Sequence, residues 1–173
     1  MNESKRSVKK SMIAVILILL LVLFDQFTKH LAVTGLKDTS GIDLIPGVLR
    51  LQYLENAGMA WGMFQNKQVM FILLTAVFLV AAVWFYLRIP AEKKYFPLRL
   101  CVTVLAAGAI GNLIDRVMHQ YVVDFIYFKI IDFPIFNVAD IYVSLSVIAL
   151  VILMLFRYKD QDLAFLSRKR SEA

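Results

Sequence analysis

The strongest constraint on the fold of this chain is a run of 19 residues without a charge, from Val69 to Leu87. About 20 apolar residues in a helix cross the roughly 30 Å hydrocarbon core of a bilayer, so this run is long enough to span it. Across the whole chain, 60% of residues are apolar and 18% are charged. Soluble domains have a smaller apolar share. The sequence therefore predicts a mainly α, polytopic membrane protein.

Further apolar stretches predict four transmembrane helices in a single membrane domain, residues 1–173. The first stretch, Met12–Phe24, reaches only about 20 Å at 1.5 Å per residue, so its helix must continue past Asp25 to cross the bilayer. A basic head before an apolar run also resembles a cleavable signal peptide, but no small-x-small cleavage site follows it. The predicted helices cover about 12–33, 69–87, 98–118 and 139–156.

The segments about 34–67 and 119–137 predict a small strand-containing cap on one side of the helices. Glycines divide the first segment into short pieces, and Leu49, Leu51 and Tyr53 alternate with polar residues as in a half-buried strand. The second segment is rich in aromatic and β-branched residues, which favours a strand or loop over a helix.

Lysine and arginine residues are distributed unevenly between the two sides of these helices. Thirteen of the 19 lie in the N-terminal head, the connector after the second helix and the C-terminal tail, which share one side. Because cytoplasmic loops carry the excess of Lys and Arg, both termini are predicted to be cytoplasmic and the cap to lie outside. The net charge of +6 has this explanation, and no basic-aromatic module indicates a nucleic-acid partner.

Three predicted helices carry an acid at a similar depth. Asp25, Asp115 and Asp140 lie about 20, 22 and 24 Å from the cytoplasmic ends of their helices, at 1.5 Å per residue. A charge inside the bilayer costs roughly 2.5–3.5 kcal/mol on insertion scales and usually marks function. The matching depths predict one shared polar site near the outer face.

The carboxylates of Asp124 and Asp140 are the candidates for chemistry. Asn137 precedes Asp140 by three residues, the spacing of a helix N-cap and N3, and an acid in the first helical turn is favoured in its charged form. Asp124 has no such help from the sequence. Two nearby carboxylates in unequal environments share one proton, so that one acts as base and the other as acid.

Other polar residues have a structural and a functional interpretation. Asn112, Asp115 and Arg116 share one helix face at spacings i, i+3 and i+4; Arg116 is free to pair with an acid of another helix, and Asp115 is interpreted as structural. Asp25 forms an i, i+4 pair with Lys29, which either belongs to the site or only anchors the helix at the membrane interface.

Several kinds of site are disfavoured. Cys101 is the only cysteine, so no internal disulfide is expected. His30 and His119 are isolated, no metal-binding motif is present, and no cofactor is expected. Ser144 lacks a partnered base. Asp132, beside a proline, is interpreted as a turn residue.

Five motifs in order resemble the lipoprotein signal peptidase (signal peptidase II) family. The likeness extends over about residues 12–156, on all four predicted helices, and the motifs are specific as a set. They are Asp25-Gln26-x-x-Lys29, Asn56-Ala57-Gly58-x-Ala60-Trp61-Gly62, Gly111-Asn112-x-x-Asp115-Arg116, Val123-Asp124-Phe125 and Phe136-Asn137-x-Ala139-Asp140.

This resemblance implies an aspartic endopeptidase of the bacterial plasma membrane that needs no metal. It implies substrates that are prolipoproteins, cut just before a cysteine that carries diacylglyceryl, with membrane lipid around them and the peptide antibiotic globomycin as an inhibitor. The catalytic pair in such enzymes corresponds to Asp124 and Asp140. The supporting positions, with Asp115 added for its place on the shared helix face, are Asp25, Asn56, Asn112, Asp115, Arg116 and Asn137.

Two other classes of protein also carry polar groups in a membrane. A proton-coupled transporter would have intramembrane acids, but its broken or repeated helices are not seen in this sequence. A non-catalytic assembly factor has no need of an acid pair at one depth. Cleavage assays on Asp→Asn variants separate these classes from a peptidase.

Overall fold

Four long helices form the body of the protein in a computed structural model that describes residues 3–58 and 67–166. They are α1 (Glu3–Leu36), α2 (Gln68–Arg88), α3 (Phe96–His119) and α4 (Val138–Phe156). Each contains a segment long and apolar enough to cross a membrane. The prediction of a mainly helical membrane protein with four spans is therefore confirmed.

The helix ends agree with the predicted ones within two residues, except at both ends of α1, which continues to Leu36, three residues past the predicted end. This helix begins at Glu3, nine residues before the predicted start at about residue 12. Lys and Arg are good helix formers, and no Gly or Pro interrupts the chain before Gly35. The apolar run identifies only the part of α1 that fits a membrane, while the helix itself extends through the basic head.

A three-stranded antiparallel sheet forms the described part of the cap. Its strands are β1 (Ile42–Ile45), β2 (Leu49–Asn56) and β3 (Val122–Phe128), in the order β1-β2-β3. The β2–β3 register pairs Leu54 with Asp124, and this brings the end of β2 beside the middle of β3. Buried side chains of β3 pack against the last turns of α1, so the sheet is fixed to the helices.

The α3 helix is the centre of the bundle. Half of its membrane-spanning window is buried, against 6–11% for the other three helices. At Gly108 the neighbouring α4 comes so close that an added Cβ would lie 2.6 Å from the carbonyl oxygen of Ala139. Small residues permit such close contact between membrane helices. The polar faces of α3 and α4 therefore meet inside the bundle.

At the end of the bundle away from the cap, the chain after α4 folds back against the helices. The rings of Tyr158 and Tyr95 are stacked with centroids 5.7 Å apart. The Tyr95 hydroxyl donates to the carbonyl of Asp162 at 2.9 Å, and the Tyr158 hydroxyl donates to that of Lys94 at 3.0 Å. Residues 157–166 are thus packed against the bundle, although their composition suggests only a polar tail.

Candidate active site

The carboxylate of Asp124 lies inside the protein, at the middle of β3. Its residue is 1% exposed. One carboxylate oxygen accepts a hydrogen bond from Nδ2 of Asn137 at 2.6 Å, and the other accepts one from Nδ2 of Asn56 at 2.7 Å. Burial, followed by the nearby charge of Asp140, raises the pKa of Asp124 to about 7, although the two amide donors act in the opposite direction.

Asp140 is held at the start of α4 by a capping box. Oδ1 of Asn137 accepts from the backbone N–H of Asp140 at 3.0 Å, while the backbone N–H of Asn137 donates to Oδ2 of Asp140 at 3.1 Å. The other oxygen, Oδ1, accepts from Nδ2 of Asn112 at 2.8 Å. Asn137 is therefore both the helix cap expected from its spacing and a hydrogen-bond donor to Asp124.

Both carboxylates line one cavity of about 590 Å³. Arg116 and Asn112 form its polar wall from α3, and its apolar wall comes from the β3–α4 connection and the first turns of α4. A cavity of this volume is large enough for a water molecule and a peptide group beside the two acids. The geometry brings together the residues that the sequence proposed for chemistry.

A second cavity, of about 420 Å³, lies between α2, α3 and α4 and shares Asn112, Arg116 and Asp140 with the first. Its other walls are apolar apart from one threonine. They are formed by Leu74, Thr75, Phe78, Leu105, Ala109, Val143 and Val147. Asp140 thus lies where the cavity beside the cap meets a cleft among the membrane-spanning helices.

A buried ionic cluster centred on Lys29 adjoins the two acids through Asn112. The Lys29 side chain is 3% exposed and pairs with Asp25 at 3.0 Å and with Asp115 at 2.9 Å. Asp25 is fully buried and also accepts from the backbone N–H of Ala139 at 2.9 Å. The interpretation of the Asp25–Lys29 pair as an interfacial anchor is therefore wrong. The pair lies in the protein interior.

Asp115 connects α3 to both α1 and β3. Besides Lys29, its carboxylate accepts from Nε2 of Gln26 at 2.9 Å and from the backbone N–H of Val123 at 3.1 Å. These contacts fix the residue that precedes Asp124 and fit a structural role for Asp115.

Arg116 has a different environment from the expected one. Among residues 3–58 and 67–166, no carboxylate forms an ion pair with its side chain. The guanidinium lies 5.2 Å from the ring centroid of Phe71, and one terminal N–H reaches the carbonyl of Asn112 at 3.5 Å. Because Arg116 also lines both cavities, its charge is directed toward the space beside the two acids.

Asp132 lies apart from this cluster. It adopts a left-handed backbone conformation with a φ of 47°, at the end of a short 3-10 turn, and accepts from the Tyr127 hydroxyl at 2.5 Å. This is the geometry of a turn residue. Within the described residues, no group of three metal-ligating side chains is present either here or around Asp124.

Two residues of the cluster were not among the candidates. Lys29 and Gln26 lie in the first motif, and their spacing from Asp25 places all three on α1. The predicted depth of Asp25 in the membrane could have identified Lys29. A lysine one turn further along α1 lies at a similar depth and needs polar partners there. The second motif is described only through Gly58, and Trp61 lies outside the described residues.

Sequence comparison decides the family of the chain. A profile described as Signal peptidase (SPase) II matches residues 17–156. The chain belongs to the signal peptidase II family. It is therefore a membrane-bound peptidase, in agreement with its four spans and buried polar site.

Similar proteins and structures support this membership of the signal peptidase II family. A lipoprotein signal peptidase of Caldanaerobacter subterraneus subsp. tengcongensis is 40% identical over 145 residues, covering 83% of this chain and 97% of that protein. One from Lactococcus lactis subsp. lactis is 36% identical over 146 residues, covering 84% and 95%. A solved structure described as a bacterial membrane enzyme has a TM-score of 0.74 at 33% identity, covering 92% of this chain and 93% of that chain.

Proposed function

We propose that this protein is an aspartic endopeptidase of the bacterial plasma membrane. It removes the signal peptide from diacylglyceryl-modified prolipoproteins by cutting just before the lipidated cysteine. The observation that carries the aspartic mechanism is that Asn137 binds Asp124 through its side chain and Asp140 through its capping box, at one cavity. The names of the relatives support the class of substrate.

The two acids have different roles in the reaction. Asp124 carries the proton, because its carboxyl is buried and its pKa is raised to about 7. Asp140 acts as the base, because it is less buried than Asp124 and lies in the first turn of α4, where the helix dipole favours an anion.

Peptide cleavage then needs one water molecule and two proton transfers. Asp140 removes a proton from the water molecule while the oxygen of that water attacks the scissile carbonyl carbon. At the same time, Asp124 gives its proton to the carbonyl oxygen. The product is a tetrahedral diol. Its collapse breaks the C–N bond, and the proton held by Asp140 passes to the leaving amine of the cysteine. A proton of the diol returns to Asp124 as the new carboxyl group forms.

The apolar surroundings fit a lipid-modified substrate. The cleft between α2, α3 and α4 has apolar walls and leads to Asp140. A diacylglyceryl group stays in hydrocarbon while its cysteine reaches the acids, because moving acyl chains into water costs about 0.8 kcal/mol per methylene. Membrane lipid is thus a necessary partner of the reaction.

The proposed orientation follows from the Lys and Arg distribution. Both termini face the cytoplasm, and the cap and the two acids lie near the outer face of the membrane. In this orientation, the modified cysteine of the substrate reaches the acids from the outer face of the membrane.

Cleavage by purified variants in lipid tests this function. Asp124→Asn and Asp140→Asn each lose activity by roughly 10²-fold or more, since an amide cannot act as acid or base, while Asp132→Asn is unchanged. The substrate is a diacylglyceryl-modified precursor, with the unlipidated precursor as the matched control. Equal cleavage of the two precursors would contradict the lipid requirement. Substantial activity of a folded Asn variant would remove that acid from the mechanism.

Globomycin provides a second test, which does not depend on turnover. Globomycin should raise the Tm of the wild-type protein and of Asp140→Asn, because the asparagine side chain at position 140 retains the shape of the site. Absence of any shift in the wild-type protein would contradict globomycin as a ligand.

A further inference from the structure

The ammonium group of Lys29 has all of its hydrogen bonds satisfied inside the protein. A lysine has three N–H donors and no acceptor. Lys29 Nζ has three acceptors: Oδ2 of Asp25 at 3.0 Å, Oδ2 of Asp115 at 2.9 Å and Oδ1 of Asn112 at 2.9 Å. The two carboxylates neutralise the positive charge of Lys29. The third acceptor is the neutral carboxamide of Asn112, which in turn contacts Asp140.

The contact with Lys29 determines which way the Asn112 carboxamide points. Its Oδ1 accepts from Lys29 and also from Nδ2 of Asn137 at 3.2 Å, and both of these groups can only donate. A flipped carboxamide would place its NH₂ group against two donors. Oδ1 must therefore face Lys29, and Nδ2 must face Oδ1 of Asp140, at 2.8 Å.

We propose that Lys29 is a positioning residue for the reaction: by fixing the Asn112 carboxamide, it makes Asn112 a donor to Asp140. This inference rests on the proposed function of the two acids and assigns to that site a residue that touches neither of them. Without Lys29, only the 3.2 Å contact from Asn137 holds Oδ1 of Asn112, so the carboxamide is less restrained and its donor to Oδ1 of Asp140 is less well placed.

The charge of Lys29 complicates any single substitution. Its removal leaves Asp25 and Asp115 buried without a cation, and breaking a buried ion pair by removing one partner is strongly destabilising. The double variant Lys29→Met/Asp115→Asn removes one positive and one negative charge together. The net charge of the cluster is unchanged, and Asp115→Asn alone is the reference for the altered contacts of Asp115 with Gln26 and Val123.

A mutant cycle tests whether Lys29 acts through Asn112. The kcat of Lys29→Met/Asp115→Asn should fall roughly 10- to 100-fold with KM within about threefold, since misplacement by about 1 Å costs on the order of 10²-fold. Asn112→Ala should then lower kcat much less in this background than in the wild-type protein, because residues that act as a unit are non-additive. Full additivity, or wild-type kcat in the double variant, would overturn the proposal.

Lys37→Met is the matched control for the loss of a lysine. Lys37 pairs with Glu55 at 3.0 Å, but both side chains are more than two-fifths exposed. This variant should keep the wild-type kcat. If Lys29→Met/Asp115→Asn does not fold, the same cycle is run on Lys29→Arg, which retains the buried charge but replaces a compact ammonium with a planar fork. Additivity there would equally overturn the proposal.

A second measurement separates this inference from the proposed function. Hydrogen exchange of the Asn112 side-chain amide is followed by NMR in ¹⁵N-Asn-labelled protein, with the signal assigned by its loss in Asn112→Ala. The exchange should be at least about tenfold faster in Lys29→Met/Asp115→Asn than in the wild-type protein, as expected for a lost hydrogen-bond constraint. Equal exchange rates would overturn the role of Lys29 even in an active enzyme, and a wild-type protein without cleavage would contradict only the proposed function.

Discussion

Asn137 donates a hydrogen bond to Asp124 across 2.6 Å. The oxygen of the same carboxamide caps α4 by accepting from the backbone N–H of the third residue of the helix, Asp140, at 3.0 Å. One side chain therefore connects the strand that carries the first acid to the helix that carries the second. The start of α4 and the geometry of the two acids cannot vary independently.

Substitutions of Asn137 should separate its two tasks. Asn137→Ser keeps a side-chain oxygen for the cap but loses the NH₂ donor, so kcat should fall at least about tenfold with little change in Tm. Asn137→Ala loses both, and should also lose about 1 kcal/mol of stability, a typical value for a helix cap. Steady-state kinetics and thermal unfolding provide the measurements. Wild-type kcat in Asn137→Ser would show that the bond to Asp124 is not needed.

The reaction should depend on pH through Asp124. Its raised pKa of about 7 means that a rise in pH through neutrality removes the proton that Asp124 must donate. Initial rates measured from pH 5 to 9 should therefore decline above about pH 7. Asp132→Asn should show the same decline, because its side chain lies outside the site. A rate that stays constant to pH 9 would assign the proton elsewhere.

The same carboxyl should affect stability. Because folding raises the pKa of Asp124, its protonation stabilises the folded state. This stabilisation is complete below the pKa of about 4 in the unfolded chain, and it is lost as the pH rises through the folded-state pKa of about 7. The Tm of the wild-type protein should fall between pH 6 and pH 8, and that of Asp124→Asn should fall less. The comparison between the two pH values cancels the effect of the substitution on hydrogen bonds. Parallel Tm changes would contradict the raised pKa.

Gly111 should not tolerate a side chain. A Cβ at this position would lie 2.5 Å from Oδ2 of Asp25 and 3.3 Å from Cβ of Ala139. Gly111→Ala should therefore lower both Tm and kcat, with a cost of roughly 1–3 kcal/mol, as for overpacked cores. Gly35→Ala is the matched control, since nothing lies within 4 Å of a Cβ at this exposed helical position. Equal Tm values for the two variants would contradict the close contact.

Cysteine labelling tests the orientation of the protein. In a Cys101→Ser background, cysteines at Leu44 and Lys129 should react with an impermeant reagent in intact cells, and a cysteine at Lys93 only after permeabilisation. Leu44 is 53% exposed and tolerates the change. Gly41 is unsuitable, because its φ is 82° and a Cβ would lie 2.5 Å from a backbone carbonyl. The reverse labelling pattern would invert the proposed orientation.

The sequence predicted the fold best where a structural requirement can be evaluated along the chain alone, such as the apolar length of a membrane-spanning helix. Spans of α2, α3 and α4 were predicted within two residues because a bilayer requires a minimum apolar length. The β1 strand was not predicted, because its four residues are all exposed and show no alternation of buried and exposed positions.

The sequence predicted which residues of the candidate site lie close together better than it predicted the contacts between them. The depth of Asp25 and Asp140 and the cap spacing of Asn137 predicted that these residues lie close together, and their contacts around the start of α4 agree with this. The partners of Lys29 and Arg116 were not available from the sequence, because whether a long cationic side chain is buried or reaches the membrane surface depends on the neighbouring helices. Lys29 proved to be buried, and Arg116 was not paired with an acid among the described residues.

The Asp25–Lys29 pair also affects how the protein enters the membrane. Both residues belong to α1, and their spacing of four residues lets them neutralise each other within a single helix. The chain is made from its N-terminus, so α1 is complete before Asp115 exists. The helix can therefore enter the bilayer as a self-compensated segment, and Asp115 and Asn112 find a cation already in place when α3 arrives.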